Sequence, residues 1–370
     1  MQKTQLKNQH SFALMQPIMS LGMNGLSLCI FWVGAALLAN VAVTDFDTKL
    51  TMFSDIVVFS TYAIYVVMSF MMLIMIFMML PAAQVSAERI NKVFESKPSI
   101  VEGKVTETKE AGTIEFKDVT FRYPGANEDD LVDASFKVNQ GETLALIGAT
   151  GSGKTTLVSL MARFYDCTKG EVLIDGVNVK DFTFDTLYNK LSYVTQKAVL
   201  FSGTIASNVE FGEQKKELEE EDIDRAIDYA CAREFVDKLE EGVDSPIAQG
   251  GKNVSGGQKQ RISIARALAR ESEIIVFDDS FSALDYKTDS TLRKTLNEKL
   301  NKVTKVIVAQ RISTIRNADK ILVLEEGRIV GQGTHDELMK NCPVYQEIAL
   351  SQLSKEELGQ EGGDDHEKEN

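Results

Sequence analysis

Between Gly148 and Thr156 the chain reads GATGSGKTT, and these residue types at this spacing are what holding a polyphosphate requires. Gly148, Gly153, Lys154 and Thr155 fit the pattern G-x-x-x-x-G-K-T. Without a Cβ at Gly148, Gly151 and Gly153, backbone N–H groups through Thr150 and Ser152 can turn toward phosphate oxygens. Lys154 adds a point charge for the β- and γ-phosphates, Thr155 offers a hydroxyl to Mg²⁺, and Thr156 leads into a helix whose positive end faces the nucleotide. The apolar run Thr143 to Ile147 precedes the loop and LVSLMARFY follows it, in the strand–loop–helix order that such a loop needs. The loop alone does not say which nucleotide-driven machine carries it.

Several other positions could serve the same nucleotide. Tyr123 ends a strand-like stretch, TIEFKDVTFRY, ahead of the loop, and its ring offers a face on which adenine can stack. Gln196 is the polar residue that ends the β run KLSYVTQ before FSGTIASNV. EIIVFDD ends in Asp278 and Asp279, which suits a Mg²⁺-associated carboxylate at a strand's C-terminal edge followed by a water-activating residue. In KVIVAQR the β run ends at Gln310. In Ser255-Gly256-Gly257-Gln258 a preferred helix N-cap stands beside two glycines, so that an anion can approach the N–H groups opening the helix KQRISIARALAR.

The remaining elements frame these positions. EVLIDG reads as a strand ending in a turn. KILVLEEGRIVGQG reads as a hairpin, handing over to a helix capped by Thr334 with Glu337 three residues later. Glu213 to Asp224 is a dense acidic run, expected to be a solvated helix start. The whole chain of 370 residues carries a net charge of −14, which argues against nucleic acid as a main partner, since a phosphate-backbone binder needs a basic face. Cys29, Cys167, Cys231 and Cys342 lie far apart, the pattern of unpaired thiols in a reducing compartment.

The first part of the chain is of another kind. No charged residue occurs from Ser11 to Thr44, and Pro17 to Val43 is long enough to cross a bilayer; a second charge-free run covers Ile56 to Leu80. Asp45, Asp47, Lys49 and Asp55 make a polar link between them, while Lys3 and Lys7 precede the first span and Arg89, Lys92 and Lys97 follow the second. The positive-inside rule then puts both outer ends in the cytoplasm, as a multi-pass hairpin. A cleaved secretory signal is the rival for the first span, but its apolar core is too long for one. Met68, Met71, Met72, Met75, Met78 and Met79 fall within an arc of roughly 120° on the second span. That face either lines a cavity for varied apolar ligands or packs against helices and lipid. After Pro81 the helical pattern continues until Pro98 stops it, which delimits a partial transmembrane domain over 1–98. A polar linker follows over 99–112, then a nucleotide-binding domain over 113–350 and an acidic, disordered tail over 351–370.

Phosphate loop, Gln196, VSGGQKQR, IIVFDD and SALD, in that order, closely resemble the nucleotide-binding domain of ATP-binding cassette (ABC) transporters, and the membrane helices ahead of it resemble the exporter arrangement. The resemblance implies a membrane α-helical hairpin followed by an α/β P-loop domain with a RecA-like core, an antiparallel β subdomain and a helical subdomain. It implies ATPase activity with ATP and Mg²⁺, in the cell membrane, with the nucleotide-binding domain cytoplasmic. Two such domains associate head to tail in the family. Tyr123 would stack on adenine, Lys154 and the loop amides would hold phosphates, and Thr155, Gln196 and Asp278 would serve Mg²⁺. Ser255, Gly256, Gly257 and Gln258 would face the nucleotide of a partner domain, and Asp285 would belong to the dimer contact. Six spans precede the domain in the family and two precede it here, so a C-terminal fragment or truncated reading frame is expected.

Two positions depart from the family pattern. Asp279 stands where the family has the general-base Glu, and Gln310 stands at the switch position where it has His. An aspartate reaches one methylene less far, and a glutamine carries no proton at neutral pH. The resemblance therefore implies the degenerate-site subunit of a heterodimeric multidrug-type exporter of small amphipathic compounds, pairing with a second half-transporter in the lipid bilayer. A working homodimer, a lipid or peptide exporter, and a truncated ATP-binding module that transports nothing are the alternatives. A soluble-type ABC ATPase acting on nucleic acid or ribosomes fits neither the membrane hairpin nor the acidity.

Overall fold

The computed structural model describes residues 2–40, 46–212 and 218–352, with side chains from residue 13 apart from residue 15. The chain folds as two units, Met1–Pro98 and Ser99–Asn370. The first is a pair of helices, Gln2–Ala39 and Phe46–Glu95, both long and apolar enough to cross a membrane. Asp47, Lys49 and Asp55, expected in a polar link, lie inside the second helix. A charged residue is costly in hydrocarbon but not in a helix, so a helix carried by an apolar run continues past it. Residues 41–43 of the expected first span lie outside the described residues. The helices approach where Gly34 leaves room for Ile56, whose Cδ1 would sit 2.7 Å from an added Cβ. As expected, the second helix runs on past Pro81 and stops at Glu95, ahead of Pro98.

The second unit is built on a six-stranded sheet. Its spatial order is Arg328–Gly333, Lys320–Glu325, Thr143–Gly148, Thr304–Val308, Ile274–Asp278, Leu191–Val194, parallel throughout except for the first pair. Parallel strands covered on both faces read as unbroken apolar runs, which is why LALI, IIVF and VIV lack alternation. Successive side chains still point to opposite faces. Leu144, Leu146, Val276 and Val306 join a core with Leu157 and Met161 of helix Lys154–Met161 and with Phe116 and Phe136 of a second sheet. That sheet is antiparallel, in the order Leu131–Val138, Ile114–Phe121, Lys169–Ile174, Val177–Asn178. Ala145, Ile147, Ile275, Phe277 and Ile307 point the other way, toward helices Ile205–Val209, Glu220–Tyr229 and Gly256–Ala269. The α/β core, the antiparallel β subdomain and the helical subdomain are all present.

Three sequence expectations need adjustment. The acidic run becomes helical only at Glu220, with residues 213–217 outside the described residues. The last helix, Pro343–Gln352, takes up 351 and 352, and the rest of the expected tail is likewise outside them. The linker over 99–112 is no free tether. Gly103 N–H donates to the Phe182 carbonyl at 2.9 Å, Lys104 and Val105 N–H donate to that of Asp181 at 2.7 and 2.8 Å, and Thr183 N–H returns to Val105 at 3.0 Å. Arg163 Nη2 reaches the Val101 carbonyl at 2.6 Å. Backbone pairing of this sort leaves no mark on side-chain composition.

Asp175 secures the far end of this strap, accepting from Thr113 N–H at 2.9 Å and from the Thr108 hydroxyl at 3.3 Å. Lys190 Nζ, 2.7 Å from both Asp175 Oδ2 and Glu273 Oε2, compensates the buried carboxylate. Burial alone would lower the Lys190 pKa; the hydrogen bonds and charges of Asp175 and Glu273 more than reverse this and leave it raised. A raised lysine contributes stability in full below its ordinary value of 10.5, and loses it as pH rises through the folded-state value. Lys190→Met is expected to cost about 3 kcal/mol, because it strands a buried carboxylate. Thermal unfolding followed by circular dichroism should show the loss, and trypsin should cut faster at Lys104 and Lys109 in the loosened strap.

Candidate nucleotide site

Strand Thr143–Gly148 leads straight into the phosphate loop and helix Lys154–Met161. Gly153 caps that helix at φ +97°, a left-handed conformation costly for any residue with a Cβ. A Cβ at Gly148 would collide with the Leu324 carbonyl oxygen and the Ser152 hydroxyl. The loop closes around its own lysine: Lys154 Nζ donates to the carbonyls of Gly148 at 2.8 Å and Ala149 at 2.6 Å, and to Ser152 Oγ at 3.2 Å. Burial lowers its pKa, and the carboxylates of Asp279 and Asp278 oppose the shift. A tight glycine cradle around an ammonium fits a phosphate, whose oxygens would take over these donors.

Asp278 ends strand Ile274–Asp278 and is buried. Its Oδ1 accepts from the Thr155 hydroxyl at 3.4 Å, and its Oδ2 from the Tyr193 hydroxyl at 2.8 Å. Burial raises its pKa foremost, with a further rise from the Asp279 charge; the bonds from Tyr193 and Thr155 and the Lys154 charge hold it down. Tyr193 is itself pushed far up, first by burial and then by the Asp278 charge, so it stays a donor. Hydroxyl and carboxylate oxygens are a hard-ligand set that fits Mg²⁺. Tyr193 does not stand out in the sequence. It sits in an ordinary β run, and only the parallel pairing of Leu191–Val194 with Ile274–Asp278 sets it beside Asp278.

Asp279 lies just past the strand at φ +48°, with its N–H bonded to the Val308 carbonyl at 3.1 Å. Its Oδ2 accepts two amides, Gln310 Nε2 at 2.7 Å and Gln196 Nε2 at 3.1 Å. Neither glutamine ends its strand as the sequence suggested: the strands stop at Val194 and Val308, two residues earlier. Gln196, expected to turn toward Mg²⁺, gives its amide to Asp279. Thr150, Gly151, Gly153, Lys154, Thr155, Thr156, Gln196, Asp278, Asp279 and Gln310 all line one cavity of about 230 Å³, joined by Asp130 and Val308, which the sequence does not single out.

Other expected site residues do not line that cavity. The Tyr123 hydroxyl shares a hydrogen bond with Thr156 Oγ1 at 3.1 Å, and its ring meets Phe121 and Tyr165 edge to face, with centroids 4.8 and 5.1 Å away. Ser255 caps helix Gly256–Ala269 reciprocally with Gln258: Gln258 N–H donates to Ser255 Oγ at 3.3 Å and Ser255 N–H to Gln258 Oε1 at 2.8 Å. An added Cβ at Gly256 would meet nothing within 4 Å. Asp285 caps helix Tyr286–Lys299 through the N–H and hydroxyl of Thr288, at 3.0 and 2.7 Å.

A glycine loop, a strand-end carboxylate and a capped SGGQ helix in one α/β unit narrow the choice, and the ABC transporter family matches residues 131–282. This nucleotide-binding unit belongs to the ABC transporter family. The family is one of ATPases. The chain is 37% identical over 351 residues to an uncharacterized ABC transporter ATP-binding protein of Mycobacterium bovis, covering 94% of this chain and 59% of that one. It is 39% identical over 268 residues to the ATP-dependent lipid A-core flippase of Escherichia coli K12, covering 72% and 45%. A bacterial Atm1-family ABC exporter solved with ATP bound shares the fold at a TM-score of 0.80 and 28% identity, covering 95% of this chain and 61% of that one. The chain thus spans from under half to about three-fifths of the length of these relatives.

Tyr193→Phe removes a hydrogen bond that holds the Asp278 pKa down, so Asp278 should protonate at higher pH and hold a cation less well. Loss of an outer partner that orients a ligating carboxylate implies a roughly tenfold rise in the Mg²⁺ concentration needed for half-maximal binding of a fluorescent ATP analogue, growing as pH falls and protons compete.

Proposed function

We propose that this chain is the ATP-binding subunit of an ABC exporter whose own ATP site is degenerate and whose SGGQ signature completes the productive site of a partner half-transporter. The observation that carries the reading is the Asp279 carboxylate, one methylene short of a glutamate and held by two neutral amides, Gln196 and Gln310, with no imidazole beside it among the described residues. Such a site orients groups but has no side chain that changes protonation near neutral pH at the switch. Lys154 and the loop amides would hold phosphates, Tyr123 would stack on adenine, and Thr155 and Asp278 would hold Mg²⁺ with Gln196 close by. The metal's part is to neutralise charge that develops on the phosphate oxygens. Ser255 and Gly256, exposed at a helix N-terminus, and the half-buried Gly257 beside them would meet a second nucleotide across a head-to-tail dimer.

In this reading the two apolar helices cross the cell membrane, with the nucleotide-binding unit and the C-terminus cytoplasmic. Small amphipathic compounds are the proposed cargo. Met68, Met72, Met75 and Met79 are each more than half exposed along the second helix and give an adaptable apolar face. A lipid cargo is the second reading, favoured by likeness to the lipid A-core flippase.

In the full-length exporter, replacing the partner's general-base Glu with Gln is expected to abolish nearly all ATP hydrolysis, while Asp279→Glu with Gln310→His in this chain raises it severalfold. Hydrolysis that survives the partner substitution would refute the degenerate-site reading. Substituting Leu for Met68, Met72, Met75 and Met79 together should lower export of some compounds and spare others; unchanged export of every compound would remove the cavity role.

A further inference from the structure

The last helix among the described residues, Pro343–Gln352, buries Tyr345 and Ala349 in the helical side of the core. Its last side chain reaches back to the switch turn. Gln352 Nε2 donates to the Gln310 carbonyl oxygen at 2.8 Å, and Gln352 Oε1 accepts from the Ile312 N–H at 2.9 Å. Ile312 opens the short helix Ile312–Ile315, whose N-cap Arg311 makes no side-chain capping bond. Its N–H is therefore one of the orphan donors that a helix start must satisfy, and Gln352 satisfies it. The turn is held from three directions: Ala309 N–H donates to the Leu146 carbonyl at 3.1 Å, the Gln310 side chain donates to Asp279, and the Gln352 amide fits both a carbonyl and an N–H.

We infer that Gln352 is a positioning residue for the ATP site, clamping the 309–312 turn so that the Gln310 side chain stays on Asp279. This rests on reading Gln310 as the switch position of that site. Gln352 does not line the cavity that holds Lys154, Asp278 and Asp279; it lines a second one, of about 630 Å³, with Gly148, Thr150, Gly151 and Gln310, and its two hydrogen bonds there go to the turn. The clamp also ties the C-terminal helix to turnover: drawing its last turn away frees the Gln310 backbone.

The test uses the full exporter with the partner's site silenced, in two backgrounds, the natural chain and the Asp279→Glu, Gln310→His chain, whose backbone carbonyl at 310 is retained. The degenerate-site reading sets the absolute rate in each background, whereas the clamp sets the ratio of each Gln352 variant to its own parent. Gln352→Ala should speed hydrogen exchange at the Ile312 amide about tenfold, leave strand Ile274–Asp278 protected, and lower kcat about three- to fivefold with KM for ATP unchanged. Gln352→Glu keeps the acceptor for Ile312 and loses the donor to Gln310, so exchange should stay slow while kcat still falls. Unchanged Ile312 exchange in Gln352→Ala overturns the clamp. So does a kcat ratio of one in both backgrounds, or a KM that rises along with loss of protection across the domain.

Discussion

One oxygen atom, Asp279 Oδ2, accepts an amide from Gln310 and another from Gln196, and the arrangement of the site follows from what makes that possible. The three residues stand just past the ends of three strands that run parallel and side by side. Parallel strands bring all their C-terminal ends to one edge, so short extensions converge there from distant stretches of sequence. The phosphate loop leaves the same edge from the neighbouring strand, Thr143–Gly148. The positions of the loop, the two carboxylates and Gln310 are thus consequences of one sheet order.

Burial at that edge makes every charge there depend on its neighbours. Lys154 loses hydration but gains three oxygen acceptors and two nearby carboxylates. Asp278, raised by burial, is held down by a tyrosine and a threonine hydroxyl. The same logic appears away from the site, where Lys190 joins Asp175 to Glu273 and so fastens the strap entering the unit. Buried ions kept in place by hydrogen bonds give definite geometry at a cost in desolvation, and a site that must fix phosphate oxygens gains from definite geometry.

Much of this was legible because local chemistry is written in local sequence. The loop GATGSGKTT, the caps at Ser255 and Thr334 and the acidic pair after IIVF each need only neighbours a few residues away, and each is found where its residues stand. The boundaries were less legible. The strands before Gln196 and Gln310 end two residues early because pairing with neighbours, not apolarity, decides where a strand stops. The second apolar helix likewise runs through Asp47, Lys49 and Asp55, since nothing in helix geometry forbids them.

What the sequence determined by itself is the set of candidate groups: the loop GATGSGKTT, Asp278 and Asp279 after an apolar strand, Gln310 after another, and a capped SGGQ helix. Only the tertiary structure decided who touches whom. Tyr193 on Asp278, Gln196 on Asp279, the strap bound along Asp181 and Phe182, and Gln352 on the turn at Gln310 all join residues far apart in the chain. The physical reason is that residue type and spacing fix what a group can do, whereas long-range contacts depend on which strands lie side by side, and that is settled by packing the two faces of one sheet.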